Sequence, residues 1–185
     1  MNNRQTHGFS LIELLIVVAI ILIIAAIAIP NLLRSKMSAS DSAAAETIRL
    51  LNTAQFTYST NFPQLGYAST FTALGPNTAS PGTCDSTAFC VIDNILAATP
   101  AGPSPKGGYQ YWLTPGPQTA AGTFTDYAFS AEPGNLNTTG TNVFCTTSDA
   151  VIRSQRDAGV IPKALGGPET IANCQTIASY GPLKN

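Results

Sequence analysis

The chain is poor in charge and almost without histidine. Only 10% of its 185 residues are charged, and the formal net charge is −1. Surfaces that bind nucleic-acid phosphates carry clustered lysine and arginine, so no specific nucleic-acid partner is predicted. The one histidine, His7, lies in the polar head "MNNRQTHG". If that head is removed, the remaining chain has no imidazole for metal binding or proton transfer.

Motifs for catalysis are absent as well. The sequence has no G-x-S-x-G, P-loop, H-E-x-x-H or calcium-loop spacing, and its acidic residues are scattered. We therefore predict no catalytic residue, no metal and no cofactor, and expect that the chain is not an enzyme. Three aromatic residues of one strand-like stretch, Tyr109, Tyr111 and Trp112, could form a stacking platform for sugars, but core packing is the favoured interpretation.

The cysteines indicate disulfides. There are four, at Cys84, Cys90, Cys145 and Cys174, with no C-x-x-C pair and no histidine partners for zinc. An even count favours disulfides in an oxidising compartment, although free buried thiols remain an alternative. Three pairings are possible, and we favour Cys84 with Cys90 and Cys145 with Cys174 because the first two share a short loop. Loop entropy gives these bonds about 2 and 3.5 kcal/mol.

A long apolar run begins close to the N-terminus. From Phe9 to Ile29 only Ser10 and Glu13 are polar. As a helix this segment is about 31 Å long, which matches the hydrocarbon core of a bilayer. A carboxylate at the bilayer centre costs about 2.5 to 3.5 kcal/mol. Glu13 lies near the edge, where the cost is smaller, but away from water it still requires a partner.

The helix is predicted to continue beyond the apolar run. Pro30 must bend or end it, because proline lacks the amide proton and clashes with the preceding turn. The next 32 residues contain neither glycine nor proline, and their large apolar side chains recur at helical spacing, at Ile48, Leu51, Tyr58 and Phe62. We predict a bend and a helix that continues to about residue 60, apolar all round in its first half and one-sided in its second. The alternative is a membrane helix followed by a separate soluble helix.

Strands are predicted in the second half of the chain. A long loop rich in Gly, Pro, Ser and Thr comes first, ordered locally by Cys84 and Cys90, with a helical turn or short strand around "FCVIDNIL". The stretches "YQYWLTP", "FTDYAFSAEP" and "NVFCTTSDAVIRS" then read as strands, and a turn at "TTSDA" would make four. Their short connections predict an antiparallel meander. Tyr127 and Phe129 share one face, which is available to cover the helix, and the tail reads as irregular coil.

The residues from Gly8 to Pro30 resemble the N-terminal signature of prepilins, the precursors of type IV pilins and of the pseudopilins of type II secretion. The resemblance implies cleavage between Gly8 and Phe9, methylation of the Phe9 amine, an assembly contact at Glu13 and a helix bend at Pro30. It also implies an α+β fold in which a spine helix packs on a small antiparallel sheet. The expected segments are a leader 1–8, a transmembrane and filament-core helix 9–30, an amphipathic spine half 31–60, a connecting loop 61–108, a sheet 109–155 and a disulfide-closed C-terminal region 156–185.

The resemblance implies a structural subunit of a type IV pilus filament that serves adhesion, twitching motility or DNA uptake. Its expected partners are identical or related pilin subunits, the prepilin peptidase, the pilus assembly machinery and inner-membrane lipid. The subunit would cross the inner membrane once before assembly and then join an extracellular filament. We expect Glu13 to pair with the Phe9 amine of a neighbouring subunit. The alternative is a glutamate that snorkels at the membrane edge without a partner.

Three other interpretations stay open at this point. An ordinary signal peptidase could cut after "AIA", Ala26 to Ala28, and release a soluble domain, but such a signal needs no acid near its start. A pseudopilin shares every N-terminal residue named above, and only the Gly- and Pro-rich loop and the disulfide-closed tail favour a pilin. From a different class, a membrane-tethered binding module or enzyme would use the apolar helix only as an anchor.

Overall fold

The computed structural model describes residues 9–156, 170–175 and 181–182. The chain divides into two units, Met1–Lys36 and Met37–Asn185. The predicted leader, with Gly8, and most of the predicted C-terminal region lie outside the described residues.

Helix α1 runs from Leu11 to Asn61 and contains Pro30. It ends one residue beyond the predicted position, so its continuation past Pro30 is confirmed and the alternative of two separate helices is wrong. The sequence supports this length, because α1 contains no glycine and is rich in alanine, leucine and isoleucine. The bend at Pro30 stays a prediction.

The half of α1 that belongs to the second unit buries one face in a hydrophobic core. Ile48, Leu51 and Tyr58 are at most 4% exposed, and Phe62 packs against the same core. The predicted apolar stripe is therefore confirmed. Small side chains widen it, since Ala44, Ala45 and Ala54 are also buried. They let the helix approach the sheet closely.

The sheet is an antiparallel meander of six strands in chain order. The α+β class and the meander are confirmed, and the loop that joins the fourth and fifth strands, residues 148–152, overlaps the predicted "TTSDA" turn, residues 146–150. Tyr109, Tyr111 and Trp112 are buried, so they pack in the interior and form no exposed platform. The strands are β1 Ser104–Lys106, β2 Tyr109–Pro115, β3 Tyr127–Pro133, β4 Asn142–Thr147, β5 Arg153–Arg156 and β6 Gly181–Pro182.

Two strands were missed in the sequence, and one tail segment is helical. Strand β1 lies inside the predicted loop 61–108, and β6 lies inside the predicted coil, as does the short helix α3, Ile171–Gln175. Both strands are only two or three residues long. Strands this short show no alternation of their own, and they form because a longer neighbour offers hydrogen bonds, as β2 does where Tyr111 pairs with Ser104.

The sheet is covered on both faces. All seven residues of β3 are buried. Tyr127 and Phe129 belong to the core that includes α1, which confirms the face predicted to cover the helix. On the opposite face Ser130 is opposite Cys145 in the register of β3 and β4, and Cys145 packs with Val143 and Cys174. Helix α3 thus helps to cover a face that the sequence analysis left open.

The connecting loop contributes to the core, where the sequence predicted only a locally ordered loop. Helix α2, Phe71–Leu74, is capped by the Thr70 hydroxyl, which accepts a hydrogen bond from the Ala73 amide at 3.2 Å. A 3₁₀ turn, Leu96–Ala98, follows. Phe71, Leu74 and Leu96 are fully buried. The apolar residues between the glycines and prolines are therefore core residues.

The structure forms two disulfides, Cys84–Cys90 and Cys145–Cys174, the pairing that the sequence favours. Their surroundings differ. Cys84 and Cys90 are exposed, whereas Cys145 and Cys174 have no exposed surface.

This difference predicts selective reduction. A dithiol reductant at low concentration is expected to open the Cys84–Cys90 bond first, because thiolate attack requires access to a sulfur atom. Alkylation of the folded full-length chain followed by peptide mass spectrometry measures which cysteines react. Equal rates of modification at all four cysteines in the folded protein would contradict the prediction.

Candidate assembly site

The start of helix α1 places Glu13 in its first turn. Ser10 precedes the first helical residue, and its backbone carbonyl accepts hydrogen bonds from the amides of Glu13 at 3.1 Å and Leu14 at 3.3 Å. In return the Glu13 carboxylate accepts a hydrogen bond from the Ser10 amide, at 3.0 Å between Oε2 and N. This return contact is one half of a capping box, in which the third helical residue reaches back to the residue that precedes the helix.

Glu13 therefore has a partner within its own chain. It satisfies an amide that the helix leaves unpaired, and its negative charge lies at the positive end of the helix dipole. This role was not predicted, although the S-x-x-E spacing from Ser10 to Glu13 before an apolar run is typical of a capping box. Together these contacts give the acid a role in helix initiation before any second subunit is present.

The apolar segment next to this acid is uncovered in the single chain. Its large side chains, from Phe9 to Leu33, are 46–80% exposed. They surround the helix on every side, as the sequence pattern predicts. Among the described residues, α1 is the one helix long and apolar enough to cross a membrane. Such a surface is stable only in lipid or against other apolar surfaces.

Asp41 fastens the second half of α1 to the sheet. Its carboxylate is buried and accepts four hydrogen bonds, from the Tyr109 hydroxyl at 2.5 Å, the Thr141 amide at 3.0 Å, the Thr141 hydroxyl at 2.8 Å and the Asn142 side-chain amide at 2.7 Å. These donors lie at the start of β2 and immediately before and within β4. A buried carboxylate is tolerated when its oxygens are satisfied in this way.

The site around Asp41 is tightly packed. Burial, and then the adjacent Asp41 carboxylate, raise the pKa of Tyr109 far above its usual value, so this phenol remains a proton donor. Gly140 leaves room for the contact, since a Cβ at that position would lie 2.4 Å from the Tyr109 hydroxyl and 2.6 Å from Asp41 Oδ1. Asp41 on the helix and Gly140 in the loop before β4 are thus matched in size.

Two further polar residues of α1 fix the helix on the sheet side. Asn52 donates to the Thr146 hydroxyl at 3.0 Å and accepts from the Tyr127 hydroxyl at 3.1 Å. Gln55, which is fully buried, makes a pair of hydrogen bonds with the backbone of Ala68 at 2.9 and 2.8 Å. Asn52 thus joins the helix to strands β3 and β4, and Gln55 joins it to the loop that follows α1.

The residues predicted from sequence fall into separate parts of the molecule. Glu13 lies in the first turn of α1, and Phe9 lies two residues before the helix begins. A cleavage after residue 8 would create a new amine at Phe9. Pro30 lies further along the same helix. The four cysteines belong to the second unit. Of the predicted site residues that the structure describes, Phe9 and Glu13 are thus the two that lie at the start of α1, where the Glu13 carboxylate is hydrogen-bonded to the Ser10 amide.

Comparison with known proteins finds one family model and two relatives that each match part of the chain. Residues 3–29 match the family model for the prokaryotic N-terminal methylation motif. The chain is 51% identical over 53 residues to the type IV major pilin protein PilA of Myxococcus xanthus, a match that covers 29% of this chain and 24% of that relative. It is 59% identical over 39 residues to the type IV wide pilus major component PilA4 of Thermus thermophilus, which covers 21% of this chain and 30% of that relative.

The matched part is therefore less than a third of either relative. No solved structure matches the chain. The family-model match, residues 3–29, includes most of the exposed apolar part of α1 and its first-turn acid, whereas the sheet and the disulfide loop lie outside it. The N-terminal part of the chain thus carries the prokaryotic N-terminal methylation motif, and the chain is similar over a short stretch to two type IV pilus proteins.

Proposed function

We propose that this chain is the structural subunit of a type IV pilus filament. The observation that carries the proposal is the apolar half of α1, whose side chains are exposed on every side while the second unit has a closed core of its own. The second unit does not need this segment for stability, so the apolar surface is available for other contacts. The names of the relatives indicate the same use of the shared segment.

The subunit passes through two environments. It first crosses the inner membrane once through α1, with the leader on the cytoplasmic side. Prepilin peptidase then cuts between Gly8 and Phe9, and the new amine of Phe9 is methylated. Assembly by the pilus machinery moves the apolar segment from lipid into the filament core, where identical or related subunits replace the lipid contacts. No step of this sequence requires a catalytic group in the subunit itself.

Glu13 changes partner during assembly. In the single chain its carboxylate is held by the Ser10 amide at 3.0 Å. In the filament core, away from water, the methylated amine of Phe9 on a neighbouring subunit is a positive charge that cannot remain unpaired, because the cost of a buried unpaired charge is several kcal/mol. Pairing of the two charges satisfies both and fixes the axial position of each new subunit.

Two alternatives have less support. A pseudopilin of a type II secretion system would carry the same first turn, but both named relatives are pilus components. A membrane-tethered binding module or enzyme would need a site in the second unit. Among the described residues no group of three or more His, Cys, Asp and Glu could hold a metal ion.

Deletion of the gene tests the proposal. We expect the deletion strain to lose surface filaments seen by electron microscopy, and the intact gene supplied in trans to restore them. The restored filaments should contain this chain by immunogold labelling. If filaments persist without the chain while export of enzymes is lost, the subunit is a pseudopilin and the proposal is wrong.

A further inference from the structure

Two positive side chains follow directly after the apolar part of α1. That part ends at Leu33, and Arg34 and Lys36 come next on the same helix, both of them exposed. From Glu13 to Arg34 the helix rises about 32 Å, at about 1.5 Å per residue. The hydrocarbon core of a bilayer is about 30 Å thick. When Glu13 lies at one edge of that core, the two cations therefore lie at the opposite edge, at the level of the lipid phosphates.

These two cations differ from the others in having no acid beside them. Within the described residues neither Arg34 nor Lys36 forms an ion pair, and the sequence has no acidic residue between Glu13 and Asp41. The Asp41 carboxylate already accepts four hydrogen bonds from the sheet side. The other cations with described side chains each pair with an acid of the chain, namely Arg49, Lys106 and Arg153. In this part of the chain, the charges of Arg34 and Lys36 are thus available to a partner outside it.

The two cations lie on opposite sides of the helix at nearly the same height. A step of two residues turns an α-helix by about 200° and raises it by about 3 Å. A single protein partner contacts one side of a helix, whereas the headgroups of a bilayer surround it at that height. Asn31 and Ser35, which lie between and beside them, are exposed and polar as well. The arrangement therefore favours a lipid surface over a protein as the partner.

Arginine and lysine suit the phosphate of a lipid. A guanidinium group donates two parallel hydrogen bonds to phosphate oxygens, and an ammonium group acts as a compact positive charge. The long stems of both side chains let the charge reach the headgroups from the end of an apolar helix. The exported ends of membrane helices are usually poor in lysine and arginine. Two of them at the exported end of α1 therefore indicate a specific contact with negative charge.

We propose that Arg34 and Lys36 bind the phosphate groups of anionic phospholipids in the outer leaflet of the inner membrane and so fix the depth of α1 before assembly. With this end of the helix held, Glu13 stays at the opposite edge of the hydrocarbon core, where the amine of a neighbour can reach it. Transfer of the subunit out of the membrane then breaks these lipid contacts. The inference rests on the membrane-crossing stage of the proposed function and does not depend on filament formation.

Retention of lipid by the full-length chain tests this inference. The chain is reconstituted in bilayers that contain equal amounts of phosphatidylcholine and phosphatidylglycerol, and native mass spectrometry measures which lipid remains bound. We expect the wild type to retain phosphatidylglycerol over phosphatidylcholine by at least about tenfold, because each cation near an anionic surface contributes about fivefold. The double variant Arg34→Gln, Lys36→Gln should retain both lipids equally. The matched control, Arg49→Gln, Lys106→Gln, removes two positive charges from the second unit and should keep the wild-type preference.

The depth of the helix provides a second readout. A fluorescent amino acid in place of Leu33 is quenched by lipids brominated at known depths, and we expect the position of strongest quenching to shift only when Arg34 and Lys36 are both replaced by glutamine. Equal retention of the two lipids by the wild type, or an unchanged preference in that double variant, would overturn the inference and leave the filament function intact. A double variant that keeps the lipid preference but fails to assemble would overturn it too, because the cations then contact a protein. Failure of the wild-type chain to insert into any of these bilayers would overturn the membrane-crossing stage of the proposed function, and this inference with it.

Discussion

Replacing Glu13 with alanine is expected to abolish filament assembly while the subunit is still cleaved, inserted and folded. In the proposed filament, the variant would leave the Phe9 amine of each neighbour without a counter-charge in a core that excludes water. A buried charge that loses its partner costs about 3 to 5 kcal/mol, which corresponds to a loss of assembly on the order of 10² to 10⁴-fold. Filament yield in the sheared fraction, compared with subunit in the membrane fraction, measures this effect.

The control separates the two roles of the acid. Glu13→Gln retains an oxygen that can accept the Ser10 amide hydrogen bond seen in the structure, but it has no charge. If the charge pair controls assembly, both variants fail. If Glu13→Gln assembles as well as the wild type, the acid acts as a helix cap only, and the pairing with Phe9 of a neighbour is wrong. Since the second unit has its own core, neither variant should alter its melting temperature.

Replacing Asp41 with alanine is expected to give the largest loss of stability among the described polar residues of α1. Alanine removes the acceptor for four hydrogen bonds from three residues. The Tyr109 hydroxyl keeps one acceptor, the Asn142 carbonyl at 2.9 Å, but the two donors on Thr141 lose theirs. Donors left unpaired cost about 1 to 3 kcal/mol each before relaxation, so we expect a loss of about 3 to 5 kcal/mol and a melting temperature about 10 °C lower.

Glu46→Ala is the matched control for Asp41. Glu46 lies on the same helix but is exposed, and its ion-pair partner is the exposed Arg49. Such pairs contribute at most about 1 kcal/mol, so the change in melting temperature should be small. Near-ultraviolet circular dichroism of the detergent-solubilised full chain measures both variants. Equal melting temperatures for the two would show that Asp41 does not fasten the helix to the sheet.

The sequence predicts those features that depend on local pattern. A nearly uninterrupted apolar run from Phe9 to Ile29 indicates a membrane helix, and the absence of glycine after Pro30 predicts that α1 continues. Alternation in β3 identifies the face of Tyr127 and Phe129 that meets the helix. The positions of Phe9 and Glu13 are predictable for the same reason, because the two residues are close in sequence. The hydrogen bond between the Ser10 amide and the Glu13 carboxylate was not predicted.

Features that depend on distant partners could not be predicted. Asp41, Asn52 and Gln55 interrupt the apolar stripe of α1, and their hydrogen-bond partners lie at distant positions in the sheet or, for Gln55, in the loop at Ala68. Strands β1 and β6 are too short to have a pattern and form against longer neighbours. The core role of Phe71 and Leu74 was hidden because glycine and proline nearby made the whole segment resemble a loop. In each case the structure is determined by contacts with residues distant in sequence, which local propensity does not reveal.

The N-terminal mass of the subunit taken from purified surface filaments tests the central claim most directly. The account requires a chain that begins at Phe9 and carries one methyl group on its amine, because this terminus provides the positive charge for Glu13 and leaves the apolar helix in the filament. Intact-protein and N-terminal peptide mass spectrometry should find that species. A chain that begins at Ile29, which has lost both Glu13 and the apolar segment, would contradict the account.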